Sequence, residues 1–203
     1  MEPMDIQGVI FDMDGTLVQS NLDFRHIREE AEVPVDTPIL EYVASADFKT
    51  QQKVLQVLEK HEKKAALTCE LVPEAKEILH KLKSRGYPLG LLTRNSRHSV
   101  TCVIQRFALQ FDCWITREDA DPKPSPEPVR KIASIFNLRT SQLLLIGDYV
   151  FDIQAGNEAG AFTALLKNQR NRAFAEQADI VLETLGDLFD YLPDQSVAPG
   201  ELP

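Results

Sequence analysis

Two carboxylates one residue apart, Asp12 and Asp14, end an apolar run: Val9-Ile10-Phe11-Asp12-Met13-Asp14-Gly15-Thr16-Leu17. A buried parallel strand would deliver both acids at its C-terminal edge, where ligands bind in open α/β sheets. Positions two apart on a strand share a face, and Gly15 permits a sharp turn directly after them. Two acids this close repel unless a cation or a proton compensates. One can then stay ionised as nucleophile or metal ligand while the other works as an acid.

Other short apolar runs repeat the strand pattern: Ile6 to Phe11, Leu89 to Leu92, Cys113 to Ile115, Leu143 to Ile146, Phe162 to Leu166 and Ile180 to Leu182. Helical spacing separates them, which implies a parallel sheet covered on both faces. Pro73 suits a first helical position, Ala75, Ile78, Leu79 and Leu82 make one stripe, and Gly86 stops that helix. Val100, Ile104 and Phe107 make the next stripe; Ser125 reads as an N-cap ahead of Pro126, with Val129, Ile132 and Phe136 following.

Residues 20–69 break this alternation. Phe24, Ile27 and Ala31 share a helical face, Pro34 and Pro38 interrupt the chain, and Val54, Leu58 and Ala65 recur along a longer helix starting near Asp47. The expected organisation is a catalytic core from 1–19 and 70–192, an all-helical insertion at 20–69, and a mobile tail at 193–203, where Pro and Gly leave little to bury.

Four segments carry a family resemblance. They are the Asp12–Asp14 run; Leu89-Gly90-Leu91-Leu92-Thr93-Arg94-Asn95; Asp121-Pro122-Lys123-Pro124-Ser125-Pro126-Glu127; and Leu143-Leu144-Leu145-Ile146-Gly147-Asp148-Tyr149-Val150-Phe151-Asp152. In this order the chain resembles the haloacid dehalogenase superfamily in its phosphatase form, in the branch of phosphoglycolate phosphatase and β-phosphoglucomutase. The resemblance implies a Rossmann-like three-layer α/β/α core with a helical cap inserted after the first strand. At roughly fifty residues this cap is shorter than is usual in that branch.

The resemblance also implies roles. Asp12 would be the nucleophile forming an aspartyl-phosphate, and Asp14 the acid and then base. Thr93, Arg94 and Asn95 would bind phosphate; the family often has a small polar residue where Arg94 stands. Lys123 would neutralise the phosphate and hold Asp12. Mg²⁺, which prefers oxygen ligands, would be held by the carboxylates of Asp12 and Asp148 and the backbone carbonyl of Asp14. Asp152 would bind through water, pair with Lys123 or cap a helix. Tyr149 departs from the usual Ser or Thr. Asn21, Arg25, Arg28 and Lys49 are the cap residues available to read an organic group.

Asp14 argues against dehalogenase chemistry, and Thr16, where mutases carry an aliphatic residue, favours a phosphatase. The expected activity is Mg²⁺-dependent hydrolysis of a small phosphorylated metabolite. The alternatives are a phosphosugar mutase and a non-catalytic module that binds phosphorylated ligands.

The 203 residues suffice for one core and an accessory element, and 43% hydrophobic with 26% charged residues is an ordinary globular balance. A net charge of −9 argues against nucleic-acid or anionic-membrane partners. Three cysteines without CxxC spacing read as reduced thiols, and no apolar stretch nears the ~20 residues of a membrane span. An acidic start, Met1 to Asp5, lacks signal-peptide character, so the expected compartment is the cytoplasm and the expected state a monomer or weak dimer. The four histidines, His26, His61, His80 and His98, are scattered and read as solvated, with no cluster of zinc type.

Overall fold

The computed structural model describes residues 4–195. Eight strands form: β1 (Gly8–Phe11), β2 (Val18–Gln19), β3 (Glu70–Leu71), β4 (Leu89–Leu92), β5 (Cys113–Ile115), β6 (Leu143–Gly147), β7 (Phe162–Leu166) and β8 (Ile180–Leu182). Six of them make one parallel sheet in the order β5-β4-β1-β6-β7-β8. The chain winds outward from β1 in one direction, then returns and winds outward in the other. The topological switch point therefore lies between β1 and β6, where open sheets of this order form a crevice at the strands' carboxyl ends. Asp12 follows β1 and Asp148 follows β6, so the winding alone brings these two acids together.

Strand alternation splits the core into two layers. Val9 and Phe11 join Leu89, Leu91, Leu144 and Ile146 on one face. There they meet helices α4 (Ala75–Ser84) and α5 (Arg97–Phe107). Ile10, Leu92, Leu143 and Leu145 face the other way and pack with α6 (Glu127–Phe136) and α7 (Val150–Ala159). Every residue of β1, β4 and β6 is buried, which is why these strands read as unbroken apolar runs rather than alternating ones.

Two helix starts lie later than the prolines suggested. Pro73 sits in a turn, Glu74 has φ of 62°, and α4 begins at Ala75. Pro126, not Ser125, occupies the cap position of α6, while Ser125 Oγ accepts from the Glu127 amide at 3.3 Å.

Between β2 and β3 the chain forms α1 (Phe24–Ala31), α2 (Ile39–Ser45) and α3 (Phe48–Thr68). Asp23 and Asp47 start α1 and α3 by accepting backbone N–H groups of the first turn. Ile27, Ala31, Val33, Ile39, Val54 and Leu58 form a separate small core. Phe24, expected on that apolar face, is instead half exposed at the first position of α1. The strands β2 and β3, which the sequence did not suggest, pair antiparallel and close the base of the insertion. The second half of α3 leaves this small core: Ala66 joins the main one, and α3 packs along α5.

Residues 193–195, expected in a mobile tail, are tied down. Tyr87 Oη donates to the Pro193 carbonyl at 2.9 Å, and Gln195 Nε2 donates to the Ile6 carbonyl at 2.9 Å. The rest of that expected tail lies outside the described residues. No helix among the described residues is long and apolar enough to cross a membrane.

Candidate active site

The Asp12 amide donates to the Ile146 carbonyl at 2.8 Å, fixing the loop after β1 to β6. The chain then turns: Leu17 N donates to Met13 O at 2.9 Å, and Gly15 N to Val18 O at 2.8 Å. Gly15 has φ of +81°, and a Cβ there would lie 2.2 Å from Asp148 Oδ2. The glycine thus serves both the turn and the close approach of the carboxylate from β6. Gly147, the last residue of β6, likewise lets the Asp152 carboxylate approach where a Cβ would otherwise stand.

Lys123 is buried among these acids. Its ammonium donates to Asp12 Oδ1 at 2.5 Å, to Asp152 Oδ1 at 2.5 Å and to the Leu92 carbonyl at 3.0 Å. All three donors of the ammonium are used. Asp152 also accepts from the Tyr149 amide at 3.1 Å, so it both pairs with Lys123 and caps α7. Two of the roles expected for it coexist.

Carboxylates outnumber cations here. Burial holds Asp12 well above the usual carboxylate range; Lys123 opposes this, while Asp152, Asp148 and Asp14 add to it. Asp148 is pushed up to about 7, by burial first and then by Asp152. Burial pulls Lys123 down, but Asp12 and Asp152 outweigh it, so the ammonium keeps its proton. Oxygens of Asp12, Asp148 and Asp152 all lie within 4.8 Å of one another. An all-carboxylate cluster with surplus negative charge fits a hard divalent cation such as Mg²⁺.

Asp14 sits apart from Lys123's direct contacts. Asn95 Nδ2 donates to its Oδ2. Burial raises the Asp14 carboxyl above its ordinary value, while the Ser20 hydroxyl and Asn95 pull it down. Asn95, expected on phosphate, is here the residue that orients Asp14. Thr93 follows β4 and is buried, its hydroxyl accepting from the Asn95 amide at 3.2 Å. Thr16 Oγ1 is buried with no hydrogen-bond partner among the described residues.

Arg94 is also placed differently from expectation. It pairs with both oxygens of Glu41 on α2 at 2.8 and 2.9 Å, donates to the Lys123 carbonyl, and stacks 4.7 Å from the Phe151 ring. It straps the insertion to the rim of the acid cluster. Tyr149 lies edge-on against Phe151 at 5.0 Å and is half exposed on the same rim. The suggested cap residues are engaged elsewhere. Arg25 pairs with Glu29 on its own helix in solvent, Arg28 bonds the Phe24 and Thr37 carbonyls, and Asn21 and Lys49 are exposed.

Two residues that no sequence motif marks, Glu62 and Arg117, support the site from behind. Glu62 on α3 forms a buried ion pair with Arg117 and accepts from the Ser96 amide at 3.1 Å. It thereby braces the loop that carries Thr93, Arg94 and Asn95. A signal was present: Glu62 falls on the helical face of Val54, Leu58 and Ala65, where an acid needs a partner.

The sequence pattern of the haloacid dehalogenase-like hydrolases matches residues 26–166. The chain belongs to this family. A haloacid dehalogenase-like hydrolase domain-containing protein of Arabidopsis thaliana is 32% identical over 79% of this chain and 71% of its own length. Pyrophosphatase PpaX of Anoxybacillus flavithermus is 28% identical over 93% of this chain and 98% of its own. Among solved structures, a hydrolase from Pseudomonas syringae superposes with a TM-score of 0.76 at 20% identity, covering 92% of this chain and 97% of that one. A predicted phosphoglycolate phosphatase from Haemophilus somnus gives 0.71 at 20% identity, with 92% and 97% covered. These likenesses place the hydrolase's fold among haloacid dehalogenase-like structures; the geometry around Asp12 supplies the chemistry.

Proposed function

We propose that this hydrolase is a Mg²⁺-dependent phosphatase that cleaves a small phosphorylated metabolite through an aspartyl-phosphate on Asp12. The observation that carries this reading is the different treatment of two acids one residue apart. Burial raises both carboxyls, but Asp12 is bound directly to the Lys123 ammonium, which favours its charged form, whereas Asp14 is held by the neutral Asn95 amide. One environment suits a nucleophile and the other a proton carrier.

A carboxylate oxygen of Asp12 attacks phosphorus, and the bond from phosphorus to the leaving oxygen breaks. Asp14 gives its proton to that oxygen. Asp14 then takes a proton from water, whose oxygen attacks the phosphoryl group and frees Asp12 and phosphate. Thr93 donates to a phosphoryl oxygen, and Lys123 keeps Asp12 in position. Asp12 and Asp148, with the Asp14 carbonyl, are the residues to hold Mg²⁺, which supplies charge neutralisation for the phosphoryl oxygens. The helices of residues 20–69 act as the cap, with Arg94 and Glu41 closing it over the rim. The similarity to a pyrophosphatase adds pyrophosphate to the candidate substrates.

The test is a panel of phosphorylated metabolites and pyrophosphate, assayed with Mg²⁺ and after chelation, with beryllium fluoride trapping of the phosphoenzyme analogue. The expected result is hydrolysis only with metal, and an adduct on Asp12. Turnover that survives exhaustive chelation, or an adduct elsewhere, would refute the proposal.

A further inference from the structure

Away from the sheet edge, the fold assembles a second cluster from residues far apart in sequence. His26 and Glu30 lie one turn apart on α1, and His61 comes from α3. Glu30 Oε2 is 2.7 Å from His61 Nε2 and 4.0 Å from His26 Nε2. The two rings meet edge-on at 5.3 Å, and the three ligand atoms lie within 4.8 Å of one another. We propose that His26, Glu30 and His61 form a binding site for a borderline divalent transition ion, Zn²⁺ foremost, that links α1 to α3.

The donor chemistry separates this site from the acid cluster. Two imidazoles and one carboxylate suit Zn²⁺, Cu²⁺ or Ni²⁺, whereas Asp12, Asp148 and Asp152 offer only oxygen and suit Mg²⁺. A tetrahedral Zn²⁺ with bonds of about 2.0–2.1 Å sets its ligand atoms about 3.3 Å apart. The proton by which His61 Nε2 bonds Glu30 passes to solvent as the ion takes its place, the Glu30–His61 spacing opens slightly and the His26 spacing shrinks. The His26 side chain, 60% exposed, has the freedom to turn inward. Its open side also leaves a fourth position for water, as in zinc sites with three protein ligands.

Lys60 does not block the site. It donates to Glu30 Oε1 at 2.7 Å and leaves Oε2 facing the histidines. A carboxylate oriented through its other oxygen is a usual feature around metal ligands. Those bonds to Lys60 and His61 hold Glu30 down at about 2, so it is ionised and ready to ligate at neutral pH.

The experiment is Zn²⁺ titration of the full chain by calorimetry and thermal shift, with excess Mg²⁺ present to occupy the acid cluster. Wild type is compared with His26→Ala, His61→Ala, Glu30→Gln and the control His80→Ala. Wild type and His80→Ala should bind one Zn²⁺ equivalent more than His26→Ala or His61→Ala, and only these two should gain melting temperature. Glu30→Gln should bind at least tenfold more weakly. X-ray absorption of the bound ion should show nitrogen and oxygen ligands without sulfur. Equal stoichiometry in wild type and both histidine variants, or sulfur ligation by a cysteine, would overturn the proposal. His26 is exposed, so His26→Ala keeps the test valid if His61→Ala is less stable.

Discussion

Asp148→Asn should stabilise the metal-free protein at alkaline pH while removing its activity. Asp148 ionises at about 7 in the folded chain rather than near 3.8. A folded-state value above the unfolded one means the folded chain holds a proton that the unfolded chain has released. Stability from this group is therefore full in acid below 3.8 and is lost progressively as pH rises to about 7. At about 1.36 kcal/mol per pH unit, the whole interval is worth about 4 kcal/mol. Partial solvent exposure and shared titration with Asp152 reduce this, so a gain of about 2–4 kcal/mol is expected for the variant above pH 7. Below the unfolded value the two proteins should be equally stable. The amide can still accept the hydrogen bond that Asn168 Nδ2 gives Asp148 at 3.2 Å, so no donor is orphaned. Urea denaturation in chelator across this pH range reads the difference directly. A variant less stable than wild type at alkaline pH, or a difference that does not change with pH, would show that burial is not what raises Asp148. Adding Mg²⁺ should reverse the order, because only wild type gains from the ion.

Three further outcomes are expected. Lys123→Met leaves Asp12 and Asp152 buried without their shared cation; the loss should be about 3–5 kcal/mol near neutral pH and shrink in acid as the carboxyls protonate, and a loss constant with pH in urea melts would point to packing instead. Asp14→Asn should slow alkyl phosphates far more than aryl phosphates, whose leaving groups need no proton; equal losses in the phosphorylation step would remove Asp14 as general acid. Arg94→Ala should raise KM and Glu41→Gln should lower or spare it, with each stability change within about 1 kcal/mol; steady-state kinetics showing the same rise in both would make Arg94 a strap and nothing more.

What the sequence made legible was local. Apolar runs ending in Asp12, Thr93 and Asp148 announce strand ends, because a strand buried on both faces has no polar positions to spare until it leaves the sheet. Lys123 stood out through its place in the series of motifs. What stayed hidden depends on residues separated by long stretches of chain. Nothing near Arg94 points to Glu41, nothing near Glu62 points to Arg117, and His26 and His61 look solvated until α1 and α3 pack side by side. Asn95 was visible as a polar residue after β4, but its amide turns to Asp14. That direction is set by the loop after β1, a tertiary feature. Proline positions misled by one or two residues at α4 and α6, since proline fits the turn before a helix as well as its first residue.

The two attachments of the helical insertion differ enough in strength to rank them. Glu62 and Arg117 are nearly fully buried, their side chains 3% and 8% exposed. Separating them leaves two unpaired charges in the interior, at about 3–5 kcal/mol. Arg106 adds to this anchor by donating to the Cys69 carbonyl at 2.5 Å, at the end of α3. Arg94 and Glu41 are 22% and 40% exposed, and a pair in that setting contributes about 0–1 kcal/mol. Thermal opening therefore breaks the Arg94–Glu41 contact long before it loosens α3 from α5. The insertion is thus held strongly where α3 meets the core and weakly where α2 meets the rim. Each opening frees the Arg94 guanidinium beside the Lys123 carbonyl and Asn95, where an incoming phosphate and Glu41 would compete for the same donors. Under the proposed function, substrate charge and closure of the insertion would be coupled through one side chain, and Glu41→Gln would separate them without touching any residue of the acid cluster.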